Sequence, residues 1–435
     1  MKIRASVRMS TGLSVNFHKS CMLPINISEQ EVQRLTENFW SIVGTLPFTY
    51  LGLPVGTTRP KLVDFLQLVD KMERRLIASS MFLAYGGRLQ LISSCLTSML
   101  VYFLCSLSIP PGIIKQIERI PRKCLWRGSN PESNKQSLAA WDMVCRPKRS
   151  GGLGIKNCKT HNEALLMKYL HKFYNKFDTP RVNLVWSYYD NTVPHAANLC
   201  GSFWWHDVMK IVGAYRSITT VKVSIGDNAL FWSDTWHSDG LLQSQFPRLH
   251  SFALDQNLSV REVLENPDRT QLFFLPLSRQ AYQELQSLEI LLGSVLLNPL
   301  GTDRWCTVWA GGNYTAAKFY LHSFRHIQAS RIYACIWKSK VILRVKVFAW
   351  LLVSDCLNTR DMLRRRHWNL TDIFHCPICT TAQTEDWQHL FFGCLFRARI
   401  WTYLQIDWEP GNSFEQVFFL AMRSFQQPFF TEIVI

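Results

Sequence analysis

Four side chains near the C-terminal end are spaced to hold one metal ion. Cys376-Pro377-Ile378-Cys379 places two thiols so that both can reach a single ion across a tight turn, and after a nine-residue interval come His389, Leu390-Phe391-Phe392-Gly393 and Cys394. Three thiolates and one imidazole fill the tetrahedral shell of Zn2+ and leave no open position, which is the composition of a structural site and not of a catalytic one. A lone buried cysteine or histidine usually has only a packing role. Here a polar run, Thr380 to Gln388, follows the pair, and an apolar cluster able to carry the second two ligands follows that. The complete spacing favours zinc over chance burial. A redox CxxC is disfavoured, because such a pair opens a helix after a strand, whereas Pro377 lies between loops. His375, beside the pair, is an alternative fourth donor.

The elements that must position these donors belong to a long, core-rich chain. With 435 residues, two or three domains are expected. A hydrophobic fraction of 47% with 16 Trp excludes a disordered tail protein. Thirteen cysteines, odd in number and scattered, point to a reducing compartment, the nucleus or cytoplasm, with thiols free or metal-bound; the N-terminus Met1 to Ser6 has no apolar run of the signal-peptide kind. The net charge of +16 implies an anionic partner, nucleic acid or an anionic membrane surface.

Thr11 to Ser20 reads as a turn followed by an alternating strand, Glu29 to Phe39 as a polar helix, and Pro47 to Gly56 as a second short strand and turn. Pro60 opens an amphipathic helix with Leu62, Phe65, Leu66, Val69, Met72 and Leu76 on one face and Lys61, Lys71, Arg74 and Arg75 on the other. Leu83 to Ile92 contains Gly86-Gly87-Arg88. Leu89 to Ile114 carries no charge. Its serines and the closing Pro110-Pro111-Gly112 favour a buried core helix over a membrane span, although a membrane protein using residues 89–109 is an alternative. Pro121 is expected to kink or stop the next helix.

Several blocks together resemble the reverse transcriptases of plant non-LTR, LINE-type retrotransposons. The segments at 11–20 and 47–56 resemble the strand and hairpin that follow the catalytic motif in that family, and Leu83 to Ile92 resembles its thumb, which packs on the template–primer duplex and makes Arg88 a candidate phosphate contact. Trp141 to Ile155, His161 to Lys168, Val223 to Trp236 and Thr302 to Tyr320 resemble later blocks. Ile336 to Trp401, which includes the four donors, Glu385 and Trp401, resembles the reverse transcriptase zinc-binding domain; the proline usual near Leu343 or Arg344 is missing.

The resemblance implies an α+β, mostly helical fold: palm-end strands at 1–58, thumb-like helices at 59–128, a connector at 138–325, a zinc-binding domain at 331–405 and a tail at 406–435. It implies structural Zn2+ on Cys376, Cys379, His389 and Cys394, and RNA or an RNA–DNA or DNA duplex as partner, with other retroelement proteins besides, but neither small-molecule substrate nor membrane. Lys148 and Arg149, beside Gly151-Gly152, and Arg364, Arg365 and Arg366 are further candidate phosphate contacts. From Arg331 to Trp401 there are eleven Lys or Arg against five Asp or Glu, a local excess of six. The glycine cluster at 151–154 lacks a Gly-Lys-Ser/Thr ending and reads as a tight turn. Asp227 and Asp234 read as structural, Asp227 sitting where a turn favours Asp. Polymerisation requires paired carboxylates holding two metal ions. No Tyr-X-Asp-Asp or adjacent Asp pair occurs, so a fragment that binds nucleic acid without catalytic residues is expected, the alternative being a subunit active only with a palm-bearing partner chain.

Overall fold

The structure is a computed structural model that describes residues 21–39, 42–80, 82–128, 136–188, 201–309, 311–368, 374–379, 383–408, 414–425 and 429–434. The strand expected at 11–20 and most of the boundary expected between residues 128 and 138 lie outside the described residues. The fold is mostly helical, with three two-stranded sheets among the described residues. The chain divides into two compact units, residues 1–68 with 200–206 and the remainder.

In the first unit β1 (Cys21–Met22) pairs in parallel with β2 (Ile42–Val43), and α1 (Glu29–Phe39) lies between them in sequence. The hairpin expected at 47–56 forms as β3 (Phe48–Tyr50) and β4 (Leu53–Val55), antiparallel, with Thr49 opposite Pro54.

The second unit contains most of the remaining helices. Along α2 (Leu66–Ser80) the apolar spacing buries Met72 and Leu76 completely. One helix, α3, runs Tyr85–Ser106 and relaxes into a single π turn at Leu96–Leu100. By length and composition alone it could cross a membrane. It nevertheless buries Leu89, Ile92, Cys95, Leu96, Leu100, Phe103 and Leu104 inside the protein, each burial stabilising by about 1.5–3 kcal/mol, against α4 (Pro111–Arg127) and α5 (Cys158–Tyr174). Asn162 of α5 closes the end of α3: its amide donates to the Leu104 and Leu107 carbonyls at 2.6 and 2.8 Å and accepts from Ile109 N at 2.9 Å. Pro121 does not stop α4, which continues to Arg127 with Pro121 buried inside it. Pro121 cannot donate the bond that closes that turn; packing of Ile113, Ile117, Ile120 and Leu125 in the core offsets the loss.

The glycine cluster is the tight turn expected, because Gly152 N bonds Pro147 O and Leu153 N bonds Val144 O, both at 3.1 Å. A Cβ on Gly152 would stand 2.0 Å from Arg146 O, so no other residue fits.

The stretch 223–236 folds around an acid that sequence reading had not singled out. Asp303 lies just ahead of β6 (Arg304–Thr307), which pairs antiparallel with β5 (Thr219–Lys222). Its carboxylate accepts from Ser224 N at 2.7 Å, Ile225 N at 3.0 Å, Gly226 N at 2.9 Å and Asn228 N at 3.4 Å. Successive amides facing inward form an anion nest, here filled by the chain's own carboxylate. Asp227 pairs with Arg261 at 3.1 Å and Asp234 with Arg216 at 3.3 Å.

Residues 241–300 include α6 (Arg279–Leu292), whose Leu285, Leu288 and Leu292 pack with Phe231, Trp232 and Phe273 into a core of their own. After α7 (Ala316–His322) come α8 (Arg331–Lys338), α9 (Leu343–Val353), α10 (Arg360–Arg365), α11 (Leu395–Tyr403), α12 (Phe414–Ser424) and α13 (Phe430–Val434). The stretch read as a tail, 406–435, supplies Ile406, Phe418, Ala421 and Phe430 to the core that Ile332, Ile336 and Ala349 begin.

Candidate metal centre

The donor atoms of Cys376, Cys379, His389 and Cys394 all lie within 4.8 Å of one another. Zn–S bonds near 2.3 Å and Zn–N bonds near 2.0–2.1 Å would give a tetrahedron with edges of about 3.5–3.8 Å. The Cys379 Sγ to His389 Nε2 distance is 3.2 Å, so contractions of an ångström or less on the longest edges complete the shell. Cys376, His389 and Cys394 are buried. The residues present fit Zn2+. His375 is exposed, bridges Thr384 through its backbone and stands outside the cluster.

Local structure explains the convergence. Cys376 N donates to Gln383 O at 3.0 Å and Glu385 N to Phe374 O at 2.9 Å, closing the loop that holds the CxxC pair. Arg360, at the start of α10, fastens that loop: it donates to His375 O at 2.8 Å and pairs with Glu385 at 3.6 Å. A π turn over His389–Gly393 brings Cys394 N to 2.7 Å from His389 O, and Trp401 of α11 secures the turn by donating to Phe391 O at 2.7 Å.

Two residues that sequence reading missed hold His389, one by its backbone and one by its ring. Asp386 accepts from His389 N at 2.7 Å, and Gln383 Oε1 lies 2.7 Å from His389 Nδ1. An amide oxygen can only accept, so Nδ1 carries the proton and Nε2 is left bare for the metal. Nothing in the spacing of Gln383 distinguishes it from the other polar residues of that run. Burial pushes the Cys376 thiol up, while the amides of Ile378 and Cys379 pull it down.

The candidate phosphate contacts are scattered. Arg88 is half-buried and turned toward Leu125 O at 3.5 Å, near the C-terminus of α4, where a cation complements the helix dipole. Arg364 pairs with Asp361 at 2.9 Å, Arg365 with Asp355 at 2.8 Å and with Asp361 at 2.9 Å. Arg366 donates to Leu138 O and, at 3.3 Å, to Asn358. Lys148 and Arg149 are exposed on the turn before Gly151. Although the Lys148 residue as a whole is exposed, its Nζ sits 4.7 Å over the Trp337 ring, and partial loss of water there, together with Lys346, depresses its pKa.

Residues 314–401 match the family model described as zinc-binding in reverse transcriptase, beginning upstream of 331. The chain is also 24% identical over 369 residues to a protein of Arabidopsis thaliana named as a ribonuclease H protein, an alignment covering 80% of this chain and 57% of that one. The chain thus spans somewhat more than half the length of the curated relative it matches. Over residues 314–401 the chain is thus similar to the zinc-binding domain of reverse transcriptases, and the two likenesses together are typical of retrotransposon-derived proteins.

Proposed function

We propose that this chain is the nucleic-acid-binding part of a LINE-type, non-LTR retrotransposon RNA-directed DNA polymerase, with RNA or an RNA–DNA duplex as ligand and a structural zinc on Cys376, Cys379, His389 and Cys394. The observation that carries this reading is the four-donor cluster inside the segment matched by the zinc-binding model. Such a closed shell organises a surface and leaves no coordination site for substrate. The charge of +16 supplies the attraction to phosphate. Lys148 and Arg149 are exposed, as are Arg364 and Arg365, which though paired keep about half of their side chains in solvent.

This stretch of chain does not polymerise by itself on this reading, because no adjacent Asp pair is present in its sequence to hold the two metal ions. Among the described residues the set of His, Cys, Asp or Glu side chains able to share one ion is the Cys/His cluster. A reducing compartment, nucleus or cytoplasm, suits thiols held as metal ligands. Titration of a short RNA–DNA duplex at increasing salt tests the reading. Affinity falls steeply with salt if phosphates are the ligand; a flat response overturns it. Steady primer extension by the purified chain with Mg2+ would overturn the assignment of inactivity.

A further inference from the structure

Beside the zinc cluster lies a cavity of about 560 Å3, inside the range of about 300–1,000 Å3 that ligand sites occupy. Trp387, Phe392 and Trp408 form its walls. Phe392 meets Trp408 at 4.7 Å between centroids and 65°, and Trp387 at 6.3 Å and 89°. Trp387 and Phe392 also meet Phe414, and Trp408 meets Trp401 and Phe430; none of these three partners lines the cavity, so the ring surface that lines it is what a planar guest would stack on. The rim is polar: Gln388 and Gln383 are exposed, and Asp386 lines the same space. The Gln383 carbonyl is engaged by His389, which leaves its NH2 to donate, while the Gln388 carboxamide offers both a donor and an acceptor.

We propose that this cavity receives one unpaired nucleobase of the bound strand, stacked against the aromatic walls and hydrogen-bonded along its edge by Gln388 and Gln383. The proposal rests on the nucleic-acid reading above and adds to it a base-specific subsite. No Lys or Arg is among the lining residues and Asp386 is, so the cavity repels a phosphate; the sugar–phosphate chain stays outside, on the module with its excess of six basic residues. A heterocycle with donors and acceptors around its edge matches both the walls and the rim, as at single-strand sites built on stacking platforms. A hydrocarbon chain would find no use for the Gln383 NH2 and the Gln388 carboxamide on the rim.

Two titrations of the zinc-loaded full chain test this. A short unpaired RNA is compared with its abasic counterpart of equal charge; one stacked base makes the abasic strand about 5- to 150-fold weaker. Trp387→Ala removes that advantage and leaves binding of the abasic strand unchanged. Gln388→Ala, an exposed substitution, reduces the advantage with zinc content intact, and keeps the test decisive should Trp387→Ala fail to fold. In parallel, 2-aminopurine riboside is titrated by fluorescence, where saturable quenching is expected. Equal binding of the two strands, an advantage that survives in both variants, or absence of saturable quenching overturns the base pocket. Strand binding without riboside quenching removes the pocket alone. Riboside quenching with neither strand bound overturns the nucleic-acid reading, and with it the claim that the guest belongs to a strand.

Discussion

Chelation of zinc should unfold the segment 374–394 while the helical core around it stays folded. Among the described residues of that segment the buried ones are Cys376, His389 and Cys394, all of them donors. Leu390, Phe391 and Phe392 are half-buried and stabilise by about 1 kcal/mol each. Structural zinc contributes about 10–16 kcal/mol in small zinc-dependent folds, so the metal outweighs the apolar contacts several-fold. The neighbouring core of Ile332, Ile336, Ala349, Phe418 and Phe430 contains no donor and should survive. Hydrogen exchange with and without a strong chelator provides the assay. The amides of Cys376, Glu385 and Cys394, bonded at 3.0, 2.9 and 2.7 Å, should lose protection, while the amides of α3 and α8 keep theirs. Unchanged protection at Cys394 after demonstrated loss of zinc would refute the reasoning, as would zinc bound well below one ion per chain.

Gln383→Leu should lower zinc affinity by about 10- to 100-fold, the usual effect of removing the partner of a ligating histidine; a competition assay with a chromophoric chelator that shows unchanged affinity would contradict the tautomer assignment. Asp303→Ala strands amides bonded at 2.7–3.4 Å and should cost about 3 kcal/mol in urea denaturation, whereas Asp227→Ala, an exposed pair partner, should stay within about 0.5 kcal/mol; equal effects would refute the nest. His171, 3.0 Å from the Tyr215 hydroxyl, is held neutral by burial, its pKa lowered from 6.5 to about 4. The unfolded chain therefore binds a proton first, so the stability present above pH 6.5 is lost as pH falls toward 4, by about 3 kcal/mol. His171→Asn should flatten that slope, leaving the contribution of His161, whose pKa is also lowered to about 4 by burial and by Lys156 and Lys168; an unchanged slope would count against it.

The zinc donors were legible because metal ligands are confined to a few residue types and a turn holds them close in sequence. Gln383 was not, since an amide that orients a histidine looks like any polar loop residue. Asp303 was hidden differently: the turn it organises lies more than seventy residues earlier, a separation no local pattern reports. The hairpin at 47–56 and the helix at 29–39 carried their own signals, Pro and Gly at the turn and polar periodicity along the helix. Arg88 followed a family motif into a proposed phosphate role, yet its side chain turns toward the Leu125 carbonyl, which only the packing of α3 on α4 brings near. The run Arg364 to Arg366 looked like a basic patch; Asp361, three and four residues before the first two arginines, already stood at helical pairing distance.

The last feature to follow through is the burial of α9. Trp350 is sealed off and donates to Gly151 O at 2.9 Å, and a Cβ on Gly86 of α3 would stand 2.8 Å from Arg344 N. The lobe that carries the metal is therefore dovetailed into both the long apolar helix and the glycine turn. It is no detachable bead: excised at 331–405 and spliced onto a foreign carrier, it would bring along raw, greasy joinery on two sides and would clump before it could grip any ligand.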